Sequence, residues 1–332
     1  MRFTFRQLEY FIAAGETGSI TLASERINIS QPSISTAISQ LEQELGVQLF
    51  IRHHAQGLSL TPAGRVLLGD AKRLIEQAEG LYTSASEVTD QIRGRLSVGC
   101  LVTLAPMVLP ELSYSFTAAF PATTVRHHEN HQEWLLEGLR RSEIDVAITY
   151  DLQIPEGIAF TPLVQLPAHV VVSESHPFAR LSAVTLQELA GEPLILLDLP
   201  MSREYFLALF MAVGIQPTVH SRSSHQDVVR TMVANGYGYT LANVRPRSDF
   251  ALDGRKVVRV RLAGDHRPMT MGLVTLARLK KSRLLEAFER HCQSFISDAY
   301  IPGMVAPALE RRSLRAKSAG DGVGFKKPNQ EN

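Results

Sequence analysis

The sequence predicts an α/β protein built from a winged helix–turn–helix over residues 1–62, a long linker helix over 62–93 and an α/β domain over 94–299. Closely spaced helix starts and stops fill the first part. An unbroken heptad repeat of apolar residues fills the second. In the third, short β-type runs alternate with helical runs, which is typical of an open sheet with helices on both faces. Residues 300–332 are rich in Gly, Pro, Lys, Ser and Asn, and are predicted to be disordered.

Composition narrows the range of functions. The 332 residues include 34 Lys and Arg against 33 Asp and Glu, so any contact with DNA must depend on locally placed basic groups. The two cysteines, Cys100 and Cys292, form no disulfide framework and fit a reducing compartment. The N-terminus has no apolar signal-peptide core, and no apolar run approaches the roughly 18 residues that span a bilayer. We therefore expect a cytoplasmic protein without membrane association.

A third helix, from about Gln31 to Leu45, is predicted to lie in the major groove of DNA. Ser30 can cap it, Pro32 falls in its first turn, and Gly46 ends it. Its apolar residues recur on one side at helical spacing. The opposite side is small, polar and neutral, which suits base edges and deep entry into the groove. This side presents Pro32, Thr36, Ser39 and Gln43, flanked by Ser33, Ser35 and Gln40.

A short two-stranded wing is predicted to follow, over Val47–Arg52 and Leu58–Leu60. Arg52, His53 and His54 lie at or near its tip, where they can meet phosphate or a minor groove. The alternative interpretation of residues 1–62 is an ordinary three-helix bundle whose Ser/Gln face is merely solvated.

The linker segment is predicted to pair with a second copy of itself. Thr61 can cap a helix that begins at Pro62, and the apolar seam recurs at alternating spacings of four and three residues, which is typical of paired helices. The seam consists of Leu67, Ala71, Leu74, Ala78, Leu81, Ala85, Val88 and Ile92. We assign Leu67, Leu74, Leu81 and Val88 to the dimer contact; the alternative is a helix that lies on its own domain. A pair would present two recognition helices to a two-fold symmetric site.

The third part is predicted to hold a small molecule. Its β-type runs are Arg95–Gly99, Thr124–His128, Asp145–Thr149, His169–Ser173, Pro193–Leu197, Val219–Ser223 and Tyr237–Ala242. In such sheets, ligands bind at the carboxyl ends of strands, beside helix N-termini that favour anions. The residues at these positions are Thr103, Thr149, Ser202, Arg203 and His225. The hydroxyls are candidate donors and Arg203 can meet a carboxylate, although Ser202 also fits a plain helix cap and Arg203 a surface charge. Asn243–Pro246 is a further candidate wall.

The sequence gives less support to metal binding, catalysis or thiol chemistry. His127, His128 and His131 resemble a metal cluster in composition, but their spacing works only on a helix and His127 is predicted to end a strand. No nucleophile elbow or pair of catalytic carboxylates stands out. Cys100 and Cys292 are predicted to be buried structural residues. We expect neither a metal nor another cofactor, and no enzymatic activity.

The N-terminal part closely resembles the signature of LysR-type transcriptional regulators. The matching stretches are Phe5–Phe11 (FRQLEYF), Gly18–Ile20 (GSI), Ser30–Ser35 (SQPSIS), Gln40–Phe50 (QLEQELGVQLF) and Leu60–Gly64 (LTPAG). The resemblance implies a recognition helix over Gln31–Leu45, with Gln31, Pro32, Ser33, Ser35 and Thr36 at the positions that usually touch DNA. Thr36 and Ser39 are often Arg or Lys in the family, so this chain departs from it toward neutrality.

The resemblance extends more weakly to about residue 296. It implies two subdomains like those of type-two periplasmic binding proteins, the first over 94–166 and 268–299 and the second over 167–267. Members of the family commonly assemble as dimers of dimers, whereas the residues themselves support only the dimer. The family's redox sensors place their cysteines in the second subdomain, where this chain has none.

Together these features predict a regulator that binds double-stranded promoter DNA and responds to a small effector, anionic and carboxylate-like, held between the two subdomains. The alternative is a solute-binding or carrier protein that uses the same cleft. Such a protein would need a secretion signal and no DNA-reading part, and both observations count against it.

Overall fold

The computed structural model describes residues 3–53, 57–89, 92–278 and 280–307. The chain forms two compact units, the first built on residues up to Gly94 and the second on residues from Arg95 onward. The first unit contains α1 (Phe5–Thr17), α2 (Ile20–Ile27), α3 (Gln31–Leu45), β1 (Phe50–His53), β2 (Gly57–Leu60) and α4 (Pro62–Thr89).

Local signals set the ends of the first three helices. Thr4, Ser19 and Ser30 each accept a hydrogen bond from a backbone N–H of the first turn. Each helix ends on a residue with left-handed backbone angles, which Gly or Asn adopts at low cost. The apolar faces meet in one core, to which Phe11, Ile34, Leu41, Leu49 and Phe50 contribute buried side chains. The predicted helix–turn–helix with a wing is thus confirmed.

A carboxylate ties the recognition helix to the wing. Glu42 Oε1 on α3 accepts hydrogen bonds from the backbone N–H groups of Leu49 and Phe50, at 2.7 and 3.1 Å. The carbonyl of Leu49 in turn accepts from the N–H of Thr61 at 3.0 Å. A Cβ on Gly64 would lie 2.1 Å from this carbonyl oxygen, so α4 can begin here only with glycine at that position. Helix α3, strand β1 and the start of α4 therefore hold one fixed geometry.

The first half of the α4 seam packs partly on its own unit. Ala71 is buried, and Leu67, Leu68 and Ile75 are partly buried against the core of the first unit. Leu74 remains 38% exposed. The side chains of the other two assigned dimer residues, Leu81 and Val88, lie outside the described part of the chain.

The second unit alternates strands and helices over most of its length. Its first elements are β3 (Gly94–Leu101), α5 (Ala105–Ala119), β4 (Thr123–Asn130), α6 (Gln132–Arg140), β5 (Val146–Tyr150) and β6 (Ile158–Leu166). Next come β7 (His169–Ser173), a 3-10 helix (Pro177–Arg180), β8 (Ala183–Val184), α7 (Leu186–Leu189), β9 (Leu194–Leu197), α8 (Pro200–Met211), β10 (Val219–Ser223), α9 (Gln226–Ala234), β11 (Thr240–Ala242) and β12 (Val257–Leu262). Strand β13 (Met269–Leu276) and helix α10 (Arg283–Phe295) follow.

These elements form two subdomains around separate sheets. The first sheet has the order β4-β3-β5-β13-β6, and the second has the order β11-β7-β12-β8, with the parallel pair β9 and β10 beside it through a bridge from Leu194 to Tyr239. The chain passes between the sheets twice, at 167–168 and at 263–268. These two crossovers lie next to the subdomain boundaries expected from the sequence.

Four strands, β6, β8, β12 and β13, were not predicted from the sequence. Strands β6 and β13 pair antiparallel with each other, and β12 pairs antiparallel with β7. Strands β6, β12 and β13 lie outside the strand–helix–strand repeat from which the other strands were predicted. Pro162 lies within β6 and pairs with Gly272 at a register shift, where a Cβ on Gly272 would lie 2.5 Å from the carbonyl oxygen of Thr161.

The expectation that the tail is disordered from residue 300 is wrong for 300–307. Ile301, Met304 and Ala306 are buried, and Met304 bridges to Pro246. The N–H of Gly303 donates to Glu111 Oε2 at 2.9 Å. Three apolar side chains are enough to anchor this segment, which we call the strap (300–307); the composition that suggested disorder belongs mostly to 308–332, outside the described residues.

Glu42→Ala should lower the free energy of unfolding of the first unit by about 1–3 kcal/mol, because two backbone N–H groups lose their acceptor. Urea unfolding of the full chain, with amide hydrogen exchange at Leu49 and Phe50 as the local readout, measures this loss. Glu44→Ala is the matched control, since Glu44 is exposed on the same helix. Equal stability and equal amide exchange in the two variants would show that the Glu42 contact does not stabilise the first unit.

Candidate nucleic-acid interface and ligand cleft

The outward face of α3 is polar and carries no charge near its N-terminus. Seven of its residues are exposed, namely Gln31, Pro32, Ser33, Thr36, Ser39, Gln40 and Gln43. Ser35 is half-buried. Two of the predicted contact residues on α3 have partners within the helices: Ser33 Oγ lies 2.7 Å from the capping hydroxyl of Ser30, and Gln40 Oε1 accepts from Gln7 Nε2 at 3.1 Å.

The wing brings one cation to this face. Arg52 is exposed on β1, and its Nη2 lies 3.4 Å from the hydroxyl oxygens of both Ser35 and Ser39. His53 Nε2 lies 2.8 Å from Ser59 Oγ across the wing. His54, the third wing residue in the prediction, lies outside the described residues. The result is an uncharged helix face with a guanidinium along one edge, suited to base edges in a groove and to a flanking phosphate.

A cleft between the two sheets of the second unit is a separate candidate site. It encloses about 580 Å³, part of it open to solvent. Thr103, Tyr150 and Met269 line it from the first subdomain. The second subdomain lines the rest, with apolar side chains such as Val171 and Phe206 and with a few polar groups. A mostly apolar cleft with a small number of polar groups is the usual form of a small-molecule site.

The structure brings together only two of the five predicted cleft residues. Thr103 and Ser202 line the cleft and are each 6% exposed. Thr149 does not, because its hydroxyl donates to Gln132 Oε1 at 3.0 Å; the next residue, Tyr150, faces the cleft, as the alternation of side chains along a strand requires.

The other two predicted residues are also corrected. Arg203 Nη1 donates to Asp198 Oδ1 at 2.6 Å, so its charge is balanced at the start of α8, and it does not line the cleft. His225 is exposed at the N-cap of α9, and the adjacent Gln226 lines the cleft instead. Both errors arose because loop position was known from the pattern, whereas the direction of each side chain was not.

Polar residues of the cleft that were not predicted as site residues from the sequence include Gln226, Arg230 and Asn243. Gln226 Oε1 is buried with no hydrogen-bond partner among the described residues, a state that a bound ligand would relieve. Asn243 Nδ2 donates to the carbonyl of Leu166 at 2.7 Å. The available signal for Arg230 was a cation on the apolar face of α9, next to the buried Val229 and one turn before Val233.

Arg230 is the cation of the cleft. It is 9% exposed, and it donates to the carbonyls of Ser248 and Phe250 at 2.6 and 3.4 Å. These two bonds engage two of the five N–H donors of a guanidinium. Burial lowers the pKa of Arg230, and the positive charge of Arg259 lowers it further. Burial also raises the pKa of Tyr150, so its hydroxyl is a neutral donor or acceptor in the same cleft.

The three histidines considered as metal ligands have separate surroundings. His127 Nε2 lies 2.7 Å from Ser113 Oγ, whereas the ring of His128 stacks on Trp134. His131 Nδ1 lies 3.7 Å from Glu133. Among the described residues, no group of three or more His, Cys, Asp or Glu side chains is placed to hold a metal ion. None of the described helices combines the length and the apolar character needed to span a bilayer.

Comparison with known proteins gives a consistent result for both units. Residues 5–65 match the family of bacterial regulatory helix-turn-helix proteins of the lysR type, and residues 89–296 match the LysR substrate binding domain. The DNA-binding transcriptional dual regulator OxyR of Escherichia coli is 31% identical over 237 residues, which are 71% of this chain and 77% of that protein. The regulator CysB of Haemophilus influenzae is 30% identical over 239 residues, 70% of this chain and 73% of its own.

Among solved structures, HinK, a LysR family transcriptional regulator from Pseudomonas aeruginosa, is 35% identical, with a TM-score of 0.61. The match covers 89% of this chain and 99% of that one. The helix–turn–helix, the two-subdomain α/β unit and the family matches over both agree with the resemblance found in the sequence. The chain belongs to the LysR family of DNA-binding transcriptional regulators, with an N-terminal helix–turn–helix and a C-terminal effector-binding domain.

Proposed function

We propose that this regulator reads promoter DNA with the N-terminal half of α3 and holds the adjacent backbone with Arg52. The observation that carries the proposal is the exposed neutral face of α3, with a single guanidinium 3.4 Å from Ser35 and Ser39. Thr36 and Pro32 lie exposed in the middle of this face, and Gln31 and Ser33 lie at its start. Since residues 1–65 hold as many acidic as basic side chains, phosphate contacts contribute little to the affinity of one head.

Because one head is expected to bind DNA weakly, we propose that two chains pair through α4. Leu74 is 38% exposed on the seam, a large apolar side chain that a second copy would cover. Leu67 lies at the partly buried end of the same seam, and Leu81 and Val88 continue it in the sequence. Two linked heads bind a two-fold symmetric site far more tightly than one head does. A dimer is the minimal assembly, and a tetramer would be a pair of such dimers.

The effector is proposed to be a small molecule with an apolar body and an anionic, carboxylate-like end. Arg230, rather than Arg203, is the group that would meet the carboxylate, with Gln226 and Ser202 as further polar contacts. Val171, Leu197 and Phe206 offer the apolar wall for the body. Binding would shift the population of subdomain arrangements, and the regulator would report this shift at the promoter.

Three weaker expectations accompany this proposal. The protein acts in the cytoplasm, where its DNA is, and it is not an enzyme, since it belongs to a family of transcription regulators. A carrier function is disfavoured because a carrier has no use for the helix–turn–helix.

The two cysteines are unsuited to sensing oxidants. Cys100 and Cys292 are both fully buried and form no disulfide. Burial raises the pKa of both thiols well above the ordinary value. Because the thiolate is the reactive form, both side chains stay inert at neutral pH. We therefore propose that this chain responds to a bound ligand and not to thiol oxidation, although a relative 31% identical to it is named a hydrogen peroxide-inducible genes activator.

Replacing Ser35 and Thr36 together with Ala should weaken binding to specific promoter DNA by about tenfold or more, because each good base contact contributes about 1–3 kcal/mol. Gel shifts and footprints on the DNA upstream of the protein's own gene and of neighbouring genes measure this. Gln43→Ala, at the other end of the same face, is the matched control. An unchanged footprint in the double variant, or an equal loss in the control, would contradict the assignment of the reading face.

A thermal-shift screen of small carboxylates and aromatic acids should find compounds that raise the melting temperature of the wild-type protein, because a ligand of the native state stabilises it. Arg230→Gln should remove this stabilisation, whereas Arg203→Gln should retain it. The reverse pattern would restore Arg203 as the carboxylate partner and overturn the role given to Arg230.

The thiols of the native protein should react slowly with a disulfide reagent at pH 8, since their raised pKa values keep them protonated. Both should react quickly in denaturant, which is the internal control. Treatment with hydrogen peroxide should leave DNA binding unchanged. Rapid labelling of the native protein, accompanied by altered DNA binding, would show that a cysteine is a sensor after all.

A further inference from the structure

A second cavity of the C-terminal unit lies beside the two crossovers between the sheets. It encloses about 1090 Å³, part of it open to solvent, and it shares no lining residue with the effector cleft. Residues 165 and 167–169 line it at and beside the first crossover, and residues 259–262, 264–266 and 268 at and before the second. Arg245 and, from the strap, Pro307 also line it. We call it the crossover cavity.

The crossover cavity is lined by three arginines. Arg245 is 6% exposed, and the side chain of Arg259 is 14% exposed. Arg261 lies at the exposed rim. Two carboxylates are near them: Asp249 accepts from Arg259 Nη2 at 2.9 Å, and Asp265 lies on the exposed rim. Among the lining residues, three arginines face one carboxylate, Asp265, and Arg245 is buried, where water solvates its charge poorly.

A buried histidine, His169, lies in the positive field of these arginines. His169 lines the cavity and is 2% exposed. Burial, and then the charges of Arg245 and Arg259, lower the pKa of His169 well below its ordinary value. The imidazole is therefore neutral near pH 7 and can donate one hydrogen bond without adding a charge.

The backbone fixes Arg245 in the crossover cavity. Its two neighbours, Val244 and Pro246, line the effector cleft, whereas Arg245 itself lines the other cavity. The strap holds this extended segment in place, since the N–H of Val305 donates to the carbonyl of Arg245 at 2.8 Å. A second hydrogen bond nearby runs from Arg259 Nη1 to the carbonyl of Pro246, at 2.7 Å.

We propose that the crossover cavity binds a small polyvalent oxyanion, phosphate or a phosphate ester, with Arg245 as its main buried partner and Arg261 at the entrance. Arg259, which is also paired with Asp249, lies beside them and adds to the positive field. Guanidinium groups match phosphate oxygens in pairs, which makes arginine the common partner of such anions. The cavity is larger than a bare phosphate ion, so it has room for an ester group. Because both crossovers contribute to its lining, an anion bound there would lie beside the connections between the two subdomains.

Titration of the full-length protein with inorganic phosphate tests the proposal, by calorimetry and by thermal shift at constant ionic strength set with sodium chloride. The wild-type protein should show saturable binding. Arg245→Gln and Arg261→Gln should each bind about tenfold or more weakly, because each removes a hydrogen bond to a charged group. Arg180→Gln, an exposed arginine outside both cavities, should bind like the wild type.

Arg230→Gln separates the crossover cavity from the effector cleft and should retain phosphate binding. Loss of binding in this variant, with retention in Arg261→Gln, would place the anion in the cleft and overturn the proposal. Equal stabilisation by phosphate and by sodium chloride would overturn it as well. If Arg245→Gln does not fold, phosphate binding by Arg261→Gln, at the exposed rim, is the deciding measurement. Unchanged binding in that variant would then overturn the proposal. Succinate is the second probe, and binding of succinate without phosphate would rule out the phosphate assignment.

Discussion

The constraint on which the DNA-binding proposal depends is the absence of charge from the outward face of the recognition helix. From Gln31 to Gln43 the exposed side chains of this helix are hydroxyls, amides and a proline, with Arg52 as the cation beside them. Such a face can distinguish bases but gains little from phosphates, so we expect one head to bind weakly. Affinity must then come from geometry: Glu42 fixes the helix against the wing, and the Leu74 seam offers a way to join two heads.

The sequence predicted the parts of the fold that local signals determine. Caps at Ser19 and Ser30, glycine ends and a 3.6-residue apolar period specify the first unit almost completely. Strands β6, β12 and β13 were not predicted because they pair antiparallel with neighbours in their own sheets and lie outside the strand–helix–strand repeat. The strap escaped because three apolar residues gave a weaker signal than the polar residues around and after them.

The lining of the proposed effector cleft could be predicted only to the level of loops. The strand-end rule correctly placed Thr103 and Ser202 in the cleft. It selected Thr149 and His225 where the neighbouring residues, Tyr150 and Gln226, face the cleft, because a one-residue difference reverses the direction of a side chain. The strand-end rule could not select Arg230, because this residue lies inside a helix and its environment depends on the tertiary packing of α9.

The most direct test of the account is DNA binding by a variant with a disrupted seam. Leu74→Glu should be monomeric in sedimentation velocity. Its affinity for a two-fold symmetric promoter site should be lower than that of the wild type by a factor of about one hundred or more, because the second head no longer adds its contacts. Its affinity for a single half-site should equal that of one wild-type head. A monomeric variant that binds the full site as tightly as the wild type would contradict the claim that a neutral reading face requires paired heads.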